Sequence, residues 1–237
     1  MLEHALLYDS HGRPLGQGQR TRSTDWDEVQ DFCRRVYMPY RVMPRLRHTP
    51  PDAIMHSFEV GRITVTRFSY GVPIRLDRFD GGAGKILVLT TIAGRLRHEI
   101  GGTDDCVTAA GDSFVVDCSR TEHRLDGDHD HLQLNLTIPH ELMEETARRW
   151  FGFAPDDRLW RCRWKFGGVG SAWTALLHYM VLSIAEAPDR VRNDRIGAHL
   201  EEMVCCELLR SWAAGAGVRL GGQGTGAAPR HVRAAEA

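Results

Sequence analysis

Hydrophobic positions recur with a helical period at both ends of the chain and with a two-residue period in its middle. The helical spacing predicts four helices, over residues 24–37, 139–151, 171–186 and 192–213. Either Ser23 or Thr24 is expected to cap the first of them. Pro188 interrupts the pattern between the last two, so we expect those two to form an antiparallel hairpin.

The middle of the chain consists of short β-branched and apolar runs separated by clusters of Gly, Asp and Ser. The runs are IMHSFEVGRITVTRFSYG, GKILVLTTIAGRLRHEIGG, GDSFVVDCSRTEHRL and DHLQLNLTIP. Many short strands with no helix between them favour an antiparallel sandwich or a small barrel. The sequence therefore predicts an α+β fold in which a cupin-like antiparallel β-barrel is followed by an antiparallel helical hairpin.

Composition narrows the class of protein. The 237 residues are 42% hydrophobic and carry a formal net charge of −1. No apolar run is long enough for a membrane helix, and the N-terminus lacks the features of a signal peptide, so we expect a cytoplasmic protein with no membrane partner. A protein that binds duplex DNA by itself usually carries a basic excess, which is missing here.

The Gly-Asp turn in residues 110–123, AGDSFVVDCSRTEH, resembles the second half of the cupin metal motif. In the first half, the Glu ligand position falls on Leu87 and the paired His positions fall near Asp80 and Gly82. His123 by itself cannot complete a site of three or four ligands. We expect neither a metal nor another cofactor.

No catalytic residue is expected. The chain has no Gly-x-Ser-x-Gly elbow, no glycine-rich phosphate loop and no catalytic-cysteine signature, and its six cysteines form no Cys-x-x-Cys pair. The stretch His129-Asp130-His131 follows a polar turn and is predicted to be a solvated loop. These observations favour a protein that is not an enzyme.

Alternation along two strands divides their residues between two faces. One face of the strand at 85–94 carries Leu87, Leu89, Thr91 and Ala93, and the cupin comparison places that face inside the barrel. On the last strand, Leu132, Leu134 and Leu136 alternate with Gln133, Asn135 and Thr137. An interior lined with leucine is either a filled core or an apolar ligand pocket, and the sequence leaves both open.

Five segments in a fixed order resemble the N-terminal sensor half of AraC/XylS-type transcriptional regulators. They are RFSYG, KILVLTTIAG, AAGDSFVVD, LQLNLTIP and the terminal APRHVRAAEA, which in that family opens a DNA-binding domain with two helix-turn-helix units. The resemblance implies five parts: an arm and helix at 1–53, an effector-binding barrel at 54–138, a helical dimerisation region at 139–214, a flexible linker at 215–228 and the start of a truncated helix-turn-helix domain at 229–237.

The family's effector pocket lies inside the barrel. The sugar-contacting strand positions of its arabinose-responsive member fall near Ala93, Arg124, Leu132 and Leu134 in this chain. A sugar site needs several hydrogen-bonding groups, because each unpaired buried polar group costs about 1–3 kcal/mol. Three of the four positions are apolar, which favours an apolar or aromatic effector, as in the XylS branch.

An effector with a carboxylate would need a cationic anchor. Arginine suits a carboxylate because it donates two parallel hydrogen bonds. We rank Arg124 first, Arg67 second and His123 third, with Tyr70 and Phe68 as aromatic walls. Each arginine could equally be a solvated or ion-paired surface residue.

The family also dimerises through the long helix after the barrel. The residues expected to do so here are Ile196, Leu200, Met203, Val204 and Leu208, which could instead pack against the barrel or the preceding helix. The expected partners are thus a small-molecule effector and a second copy of the chain. DNA would be contacted only through a domain missing from this chain.

Two alternatives from other classes remain open. One is a metal-free cupin-like enzyme of the isomerase type, for which only His123 and Glu122 could supply a general base in the barrel. The other is a dimerisation module with a filled barrel and no ligand.

Overall fold

A computed structural model describes residues 2–16, 20–46, 48–100 and 105–220. The helices are α1 Trp26–Val36, α2 His140–Phe151, α3 Asp157–Trp160, α4 Ala172–Glu186, α5 Pro188–Asn193 and α6 Arg195–Ala216. The strands are β1 Arg22–Ser23, β2 Arg41–Pro44, β3 Ala53–Val60, β4 Ile63–Ser69, β5 Ile74–Asp77, β6 Lys85–Ala93, β7 Leu96–Glu99, β8 Asp105–Thr108, β9 Asp112–Asp117, β10 Leu125–Gly127, β11 Leu132–Pro139 and β12 Trp164–Gly167. Short 3₁₀ turns occupy Leu2–His4 and Gly81–Ala83.

The strands form two antiparallel sheets. The larger has seven strands in the order β1-β3-β4-β11-β6-β9-β12, and the smaller has five in the order β2-β5-β10-β7-β8. One buried cluster joins Phe68, Leu87 and Phe114 of the larger sheet with Leu76, Leu96 and Leu125 of the smaller. This cluster is the barrel interior, so the predicted α+β fold with a cupin-like antiparallel barrel is confirmed.

A second core covers the other face of the larger sheet. Val88, Val115 and Leu136 on that face are buried in one cluster with Trp173 of α4 and Trp212 of α6. The larger sheet is therefore buried on both faces, between the barrel interior on one side and the helices on the other. The two faces differ in character, and this difference determines where the candidate site lies.

All four predicted helices are present, with ends that differ by a few residues from the predicted ranges. The expected caps for α1 were wrong: Asp25 caps it, accepting a hydrogen bond of 2.8 Å from the Asp27 amide. The predicted hairpin is not direct, because Pro188 begins the short helix α5 between α4 and α6. Within the described ranges no helix has the length and apolarity needed to cross a bilayer.

Several elements were not predicted. Strands β1 and β2, from before residue 54, complete the edges of the two sheets, and β12 extends the larger sheet beyond β9. Helix α6 continues to Ala216, into the range predicted to be a linker. The rest of that predicted linker after Leu220, and the predicted start of a helix-turn-helix domain at 229–237, lie outside the described residues.

Helix α2 is joined to the barrel by a buried acid–histidine contact. The Nδ1 atom of His140, the first residue of α2, lies 2.7 Å from Oδ2 of Asp117 on β9, and its Nε2 lies 3.1 Å from Oε1 of Glu144. The hydrogen bond to Asp117 raises the pKa of His140, partly opposed by burial. His140 thus links β9 to the start of the helical region.

Candidate functional site

A small cavity lies in the middle of the barrel interior. Five aromatic rings and two amide side chains define it together with leucines of β5, β6 and β10, and we call it the tyrosine chamber. Its non-leucine lining residues are Tyr37, Tyr40, Phe68, Tyr70, Phe79, Gln133 and Asn135. Its volume is about 20 Å³. That is room for roughly one water molecule.

Hydrogen bonds connect the polar groups around the chamber. The Asn135 amide donates from Nδ2 to the Tyr37 hydroxyl at 3.0 Å, and that hydroxyl lies 2.6 Å from Oγ1 of Thr66. The hydroxyls of Tyr40 and Tyr70 lie 2.5 Å apart. Asn135 Oδ1, in contrast, is buried with no hydrogen-bond partner among the described residues. The chamber therefore holds a free acceptor, which costs stability unless a donor reaches it.

The chamber carries no formal charge. Burial raises the pKa values of the Tyr37, Tyr40 and Tyr70 hydroxyls, so all three are protonated at neutral pH. In the described part of the chain, no Asp, Glu, Lys or Arg side chain lines the chamber. The lining therefore suits a ligand that is neutral and largely aromatic or apolar.

One edge of the chamber is closed by a pair of stacked rings. The Tyr40 and Phe79 ring centroids are 4.9 Å apart with planes 24° from parallel. Both side chains are partly exposed, whereas Tyr37, Phe68 and Tyr70 are buried. Tyr40 and Phe79 are thus the lining side chains with the most freedom to swing aside.

Two histidines are buried in the same interior, and we call them the histidine pair. His98 on β7 and His123 before β10 are 0% and 2% exposed, and their ring centroids are 5.6 Å apart. Phe114 stacks on His98 at 3.9 Å, and Phe79 of the chamber lies 5.5 Å from the His123 ring. Both nitrogens of His123 and Nδ1 of His98 lack a partner among the described residues.

Burial keeps the histidine pair neutral. It lowers the pKa of His123 to about 3, with a further contribution from the Arg163 charge, and lowers that of His98 well below its usual value. Groups of three or more His, Cys, Asp or Glu side chains that could hold a metal do not occur in the described ranges. The pair therefore offers uncharged donors and acceptors and does not form part of such a cluster.

The neutral state of His123 predicts acid sensitivity. The unfolded chain binds a proton at His123 below about pH 6.5, whereas the folded chain does not until about pH 3. Protonation of His123 in the unfolded chain therefore lowers the free energy of unfolding by about 2 kcal/mol between pH 6.5 and pH 5. In urea titrations at pH 7.5 and pH 5, wild type should lose about 2 kcal/mol more stability than His123→Phe.

Wild type and His123→Phe both contain His140, so its contribution, which has the opposite sign, cancels when their losses of stability are compared. The pKa of His140 is higher in the folded chain than in the unfolded chain. Its contribution to stability is therefore present below the unfolded pKa and is lost as the pH rises through the folded pKa. His199→Phe, at an exposed position of α6, is the control and should keep the wild-type pH dependence. Equal losses in wild type and His123→Phe would contradict the neutral assignment.

The structure brings some of the predicted ligand residues together. Leu87, Leu89 and Tyr70 line the chamber. Thr91 continues the inward row of β6, and its Oγ1 lies 2.8 Å from Oγ1 of Thr108, which is 3.1 Å from Nε2 of His98. His123 belongs to the histidine pair described above. Leu87 and Leu89 thus face the barrel interior, and their contact with a ligand stays a prediction.

Both predicted arginine anchors lie outside the barrel interior. The Arg124 side chain is 53% exposed and pairs with Glu99 across 3.6 Å. Arg67 is buried on the helix-facing side of β4, where its Nε donates to the Glu3 carbonyl at 2.8 Å. Neither lies where it could bind a carboxylate in the chamber.

The leucines of strand β11 do not point into the barrel, and its polar side chains do. Leu134 packs in the cluster beneath the helices, whereas Gln133 and Asn135 line the chamber. Leu132 and Ala93 pair with each other at the half-buried ends of their strands, next to an irregularity between Leu132 and Gln133. The interior is consequently more polar than a leucine-lined barrel.

The expected solvated loop at 129–131 was wrong for its last residue. His131 is 0% exposed, and its Nε2 accepts a hydrogen bond of 3.3 Å from the Tyr70 amide. His129 and Asp130 are exposed, as expected. The third residue of the stretch begins the approach to β11 and so turns into the barrel.

The AraC-binding-like domain model matches residues 29–210, which is most of the chain and includes both sheets' principal strands and the helices. The chain belongs to the AraC-binding-like domain family. No curated protein sequence matches it.

One solved structure shares the fold of this chain over most of its length. The AraC-like transcriptional activator CuxR superimposes with a TM-score of 0.58 at 12% identity, covering 86% of this chain and 72% of CuxR. EutQ of Salmonella typhimurium covers 38% of this chain and 71% of its own at 9% identity and a TM-score of 0.29. Ectoine synthase from P. lautus covers 52% and 83% at 11% identity and a TM-score of 0.29. At these identities the likeness to CuxR concerns the fold.

Most of the residues expected to form a dimer contact are part of the domain's own core. Leu200, Val204 and Leu208 of α6 are at most 2% exposed within the single chain. Ile196 is partly buried against the same core, and Met203 is 48% exposed. The part of this set that is available to another molecule is therefore centred on Met203.

The residues that sequence reasoning missed come from four places. Tyr37 and Tyr40 follow α1, Phe79 follows β5, and Asn135 is one of the polar positions of β11. His98 alternates with Arg97 and Glu99 along β7, and this pattern could have marked it as an inward residue. The first three depend on contacts between distant segments, which no local pattern reveals.

Proposed function

We propose that this AraC-binding-like domain is the ligand-sensing part of a transcriptional regulator, with an aromatic or otherwise apolar effector held in the tyrosine chamber. The family match supports a regulatory effector-binding role, and the aromatic lining supports the ligand class. The observation that carries the proposal is the buried, unpaired Asn135 Oδ1 inside an aromatic cavity. We further propose that the protein is cytoplasmic, is not an enzyme and contacts DNA through another domain.

Effector entry requires side chains to move. A cavity of about 20 Å³ is too small for an aromatic ring in the present conformation. Displacement of Tyr40 and Phe79 from their stacked position would extend the chamber toward the surface. The effector would act by stabilising this opened form over the closed one, because a ligand shifts an equilibrium only through its different affinities for two states.

The small volume also favours a second candidate function. A barrel filled by its own aromatic side chains could serve as a dimerisation module that binds no ligand. In that case Tyr40 and Phe79 would be permanent core residues. Effector binding distinguishes the two functions.

A thermal-shift screen of phenols and aromatic acids tests the proposal. A ligand at 100 times its dissociation constant stabilises the folded protein by about 2.7 kcal/mol. For a chain of this size, the melting temperature should rise by about 5–10 °C. If no compound in the screen shifts the transition, the filled-barrel module is the better account.

We also propose that the domain forms a homodimer through exposed apolar residues of α4 and α6. Tyr179 and Leu182 of α4 are 55% and 41% exposed, and Met203 of α6 is 48% exposed. The two helices pack together within the chain. Exposed apolar side chains on neighbouring helices are typical of a contact with another protein molecule.

Charge introduced into this surface should weaken the dimer. The double variant Tyr179→Glu/Met203→Glu should raise the dimer dissociation constant by about tenfold or more, because it places four carboxylates in one symmetric contact. Light scattering after size exclusion gives the mass. Val169→Glu, at an 88% exposed loop position, is the matched control and should leave the mass unchanged. A dimer that survives the double variant would place the interface elsewhere.

A further inference from the structure

We propose that the effector is a neutral hydroxylated aromatic compound of the phenol class, whose hydroxyl hydrogen-bonds to the histidine pair while its ring occupies the tyrosine chamber. This inference rests on the proposed effector-binding function and specifies its ligand. It differs from the expectation of a carboxylate held by arginine, for which the chamber supplies no cation.

The histidine pair has unusual unused hydrogen-bonding capacity for groups so deeply buried. Three of its four ring nitrogens lack a partner among the described residues. Only Nε2 of His98 has one, the Thr108 hydroxyl at 3.1 Å. Buried polar groups in proteins are generally paired with protein or with ordered water, so three unpaired nitrogens together indicate a position for another molecule.

Because the histidine pair is uncharged, its ring nitrogens determine which polar group of a ligand can bind beside them. A neutral imidazole has one N–H donor and one bare nitrogen acceptor. A hydroxyl group both donates and accepts, so it can satisfy either nitrogen. A carboxylate only accepts, and burying its charge without a cation is costly.

The cations that act on the pair have other partners. The Arg163 guanidinium donates to the backbone carbonyls of Glu99, Ile100 and Glu122. Lys165 donates to the Val107 carbonyl at 3.0 Å and pairs with Asp112 at 2.8 Å. Neither cation lines the chamber. A carboxylate beside His123 would therefore lack a direct cationic partner.

The distance between the chamber and the pair suits a single aromatic ring. The inward row of β6 runs from Leu89 in the chamber to Thr91, whose hydroxyl contacts Thr108 beside His98. Two residues of strand span about 7 Å, which is close to the length of a phenol. Phe79 contacts both regions, since its ring lies 5.5 Å from His123 and 4.9 Å from Tyr40. Displacement of Phe79 would thus join the two.

Three ligands that differ only in the polar group test the inference. The probes are 4-ethylphenol, its methyl ether 4-ethylanisole, and 4-ethylbenzoate, each titrated into the protein by calorimetry at pH 7.5. A phenol hydroxyl is neutral at this pH because phenols ionise near pH 10. We expect 4-ethylphenol to bind at least about tenfold more tightly than either of the others, because only its hydroxyl can donate to an imidazole nitrogen.

The variant His123→Phe keeps a ring in an aromatic environment but removes both unpaired nitrogens. It should reduce the preference for 4-ethylphenol over 4-ethylanisole to less than about threefold, since the donor then has no acceptor at that position. The control His56→Phe alters a half-buried histidine on β3, next to the inward-facing Met55 and therefore on the opposite face. It should preserve the wild-type preference.

Each outcome has a separate meaning. Equal binding of the three ligands, tighter binding of 4-ethylbenzoate, or an unchanged preference in His123→Phe would overturn this inference and leave effector binding in place. Absence of binding by all three, together with a blank thermal-shift screen, would overturn the proposed function and this inference with it.

Discussion

Replacement of Trp212 with alanine is expected to lower the free energy of unfolding by about 3–5 kcal/mol, the largest effect of a single substitution that we predict. Trp212 of α6 is 0% exposed, and its ring meets that of Trp160 edge to face at 5.5 Å. Its Nε1 donates to the Cys162 carbonyl at 2.7 Å. The substitution would leave a large cavity and an unpaired carbonyl between α6 and the larger sheet.

Urea unfolding followed by circular dichroism measures this change. The control is Trp150→Ala in α2, whose side chain is 56% exposed and donates to Glu202. It should cost no more than about 1 kcal/mol. Similar losses for the two tryptophans would show that α6 does not share a core with the sheet.

Replacement of Asn135 with leucine should separate stability from effector binding. The unpaired Oδ1 is removed, and the Tyr37 hydroxyl can still donate to Thr66, so the free energy of unfolding should stay the same or rise by up to about 1 kcal/mol. Affinity should fall about tenfold for an effector that carries a second hydrogen-bond donor in the chamber, because Asn135 Oδ1 would accept from that donor, whereas 4-ethylphenol, whose only hydroxyl lies at the histidine pair, should lose less than about threefold. Most buried substitutions weaken both properties together, which makes this combination diagnostic.

The matched control for Asn135→Leu is Thr137→Val. Thr137 lies two residues along the same strand, and its Oγ1 is also buried without a partner among the described residues, yet it does not line the chamber. Its substitution should leave effector affinity unchanged. If both variants lose affinity equally, or if Asn135→Leu keeps it, Asn135 does not contact the ligand.

The sequence predicted the order of strands and helices well because hydrophobic periodicity is a local property. The stripes of α4 and α6 and the inward leucines of β6 were all readable from spacing. Spacing did not show which face of β11 lies inside the barrel. Both of its faces are buried, so its leucines mark the side beneath the helices, and the polar Gln133 and Asn135 lie inside the barrel.

The candidate site itself was only partly predictable. Leu87, Leu89, Tyr70 and His123 were identified from pattern and resemblance, whereas Tyr37, Tyr40 and Phe79 reach the barrel from segments that read as helix end or loop. Arg124 was chosen for its chemistry, but alternation along β10 places it next to the inward Leu125 and hence on the outer side. Side-chain direction, and not residue type, decides which groups can meet a ligand.

A crystal structure of the domain grown with 4-ethylphenol tests the central claim most directly. We predict density for the ligand inside the barrel, with Tyr40 and Phe79 moved apart from their 4.9 Å stacking distance, the ring beside Phe68 and Leu89, and the hydroxyl in hydrogen-bond contact with His123. An unchanged chamber of about 20 Å³, with the ligand absent or bound only on the outer surface at a saturating concentration, would contradict the account.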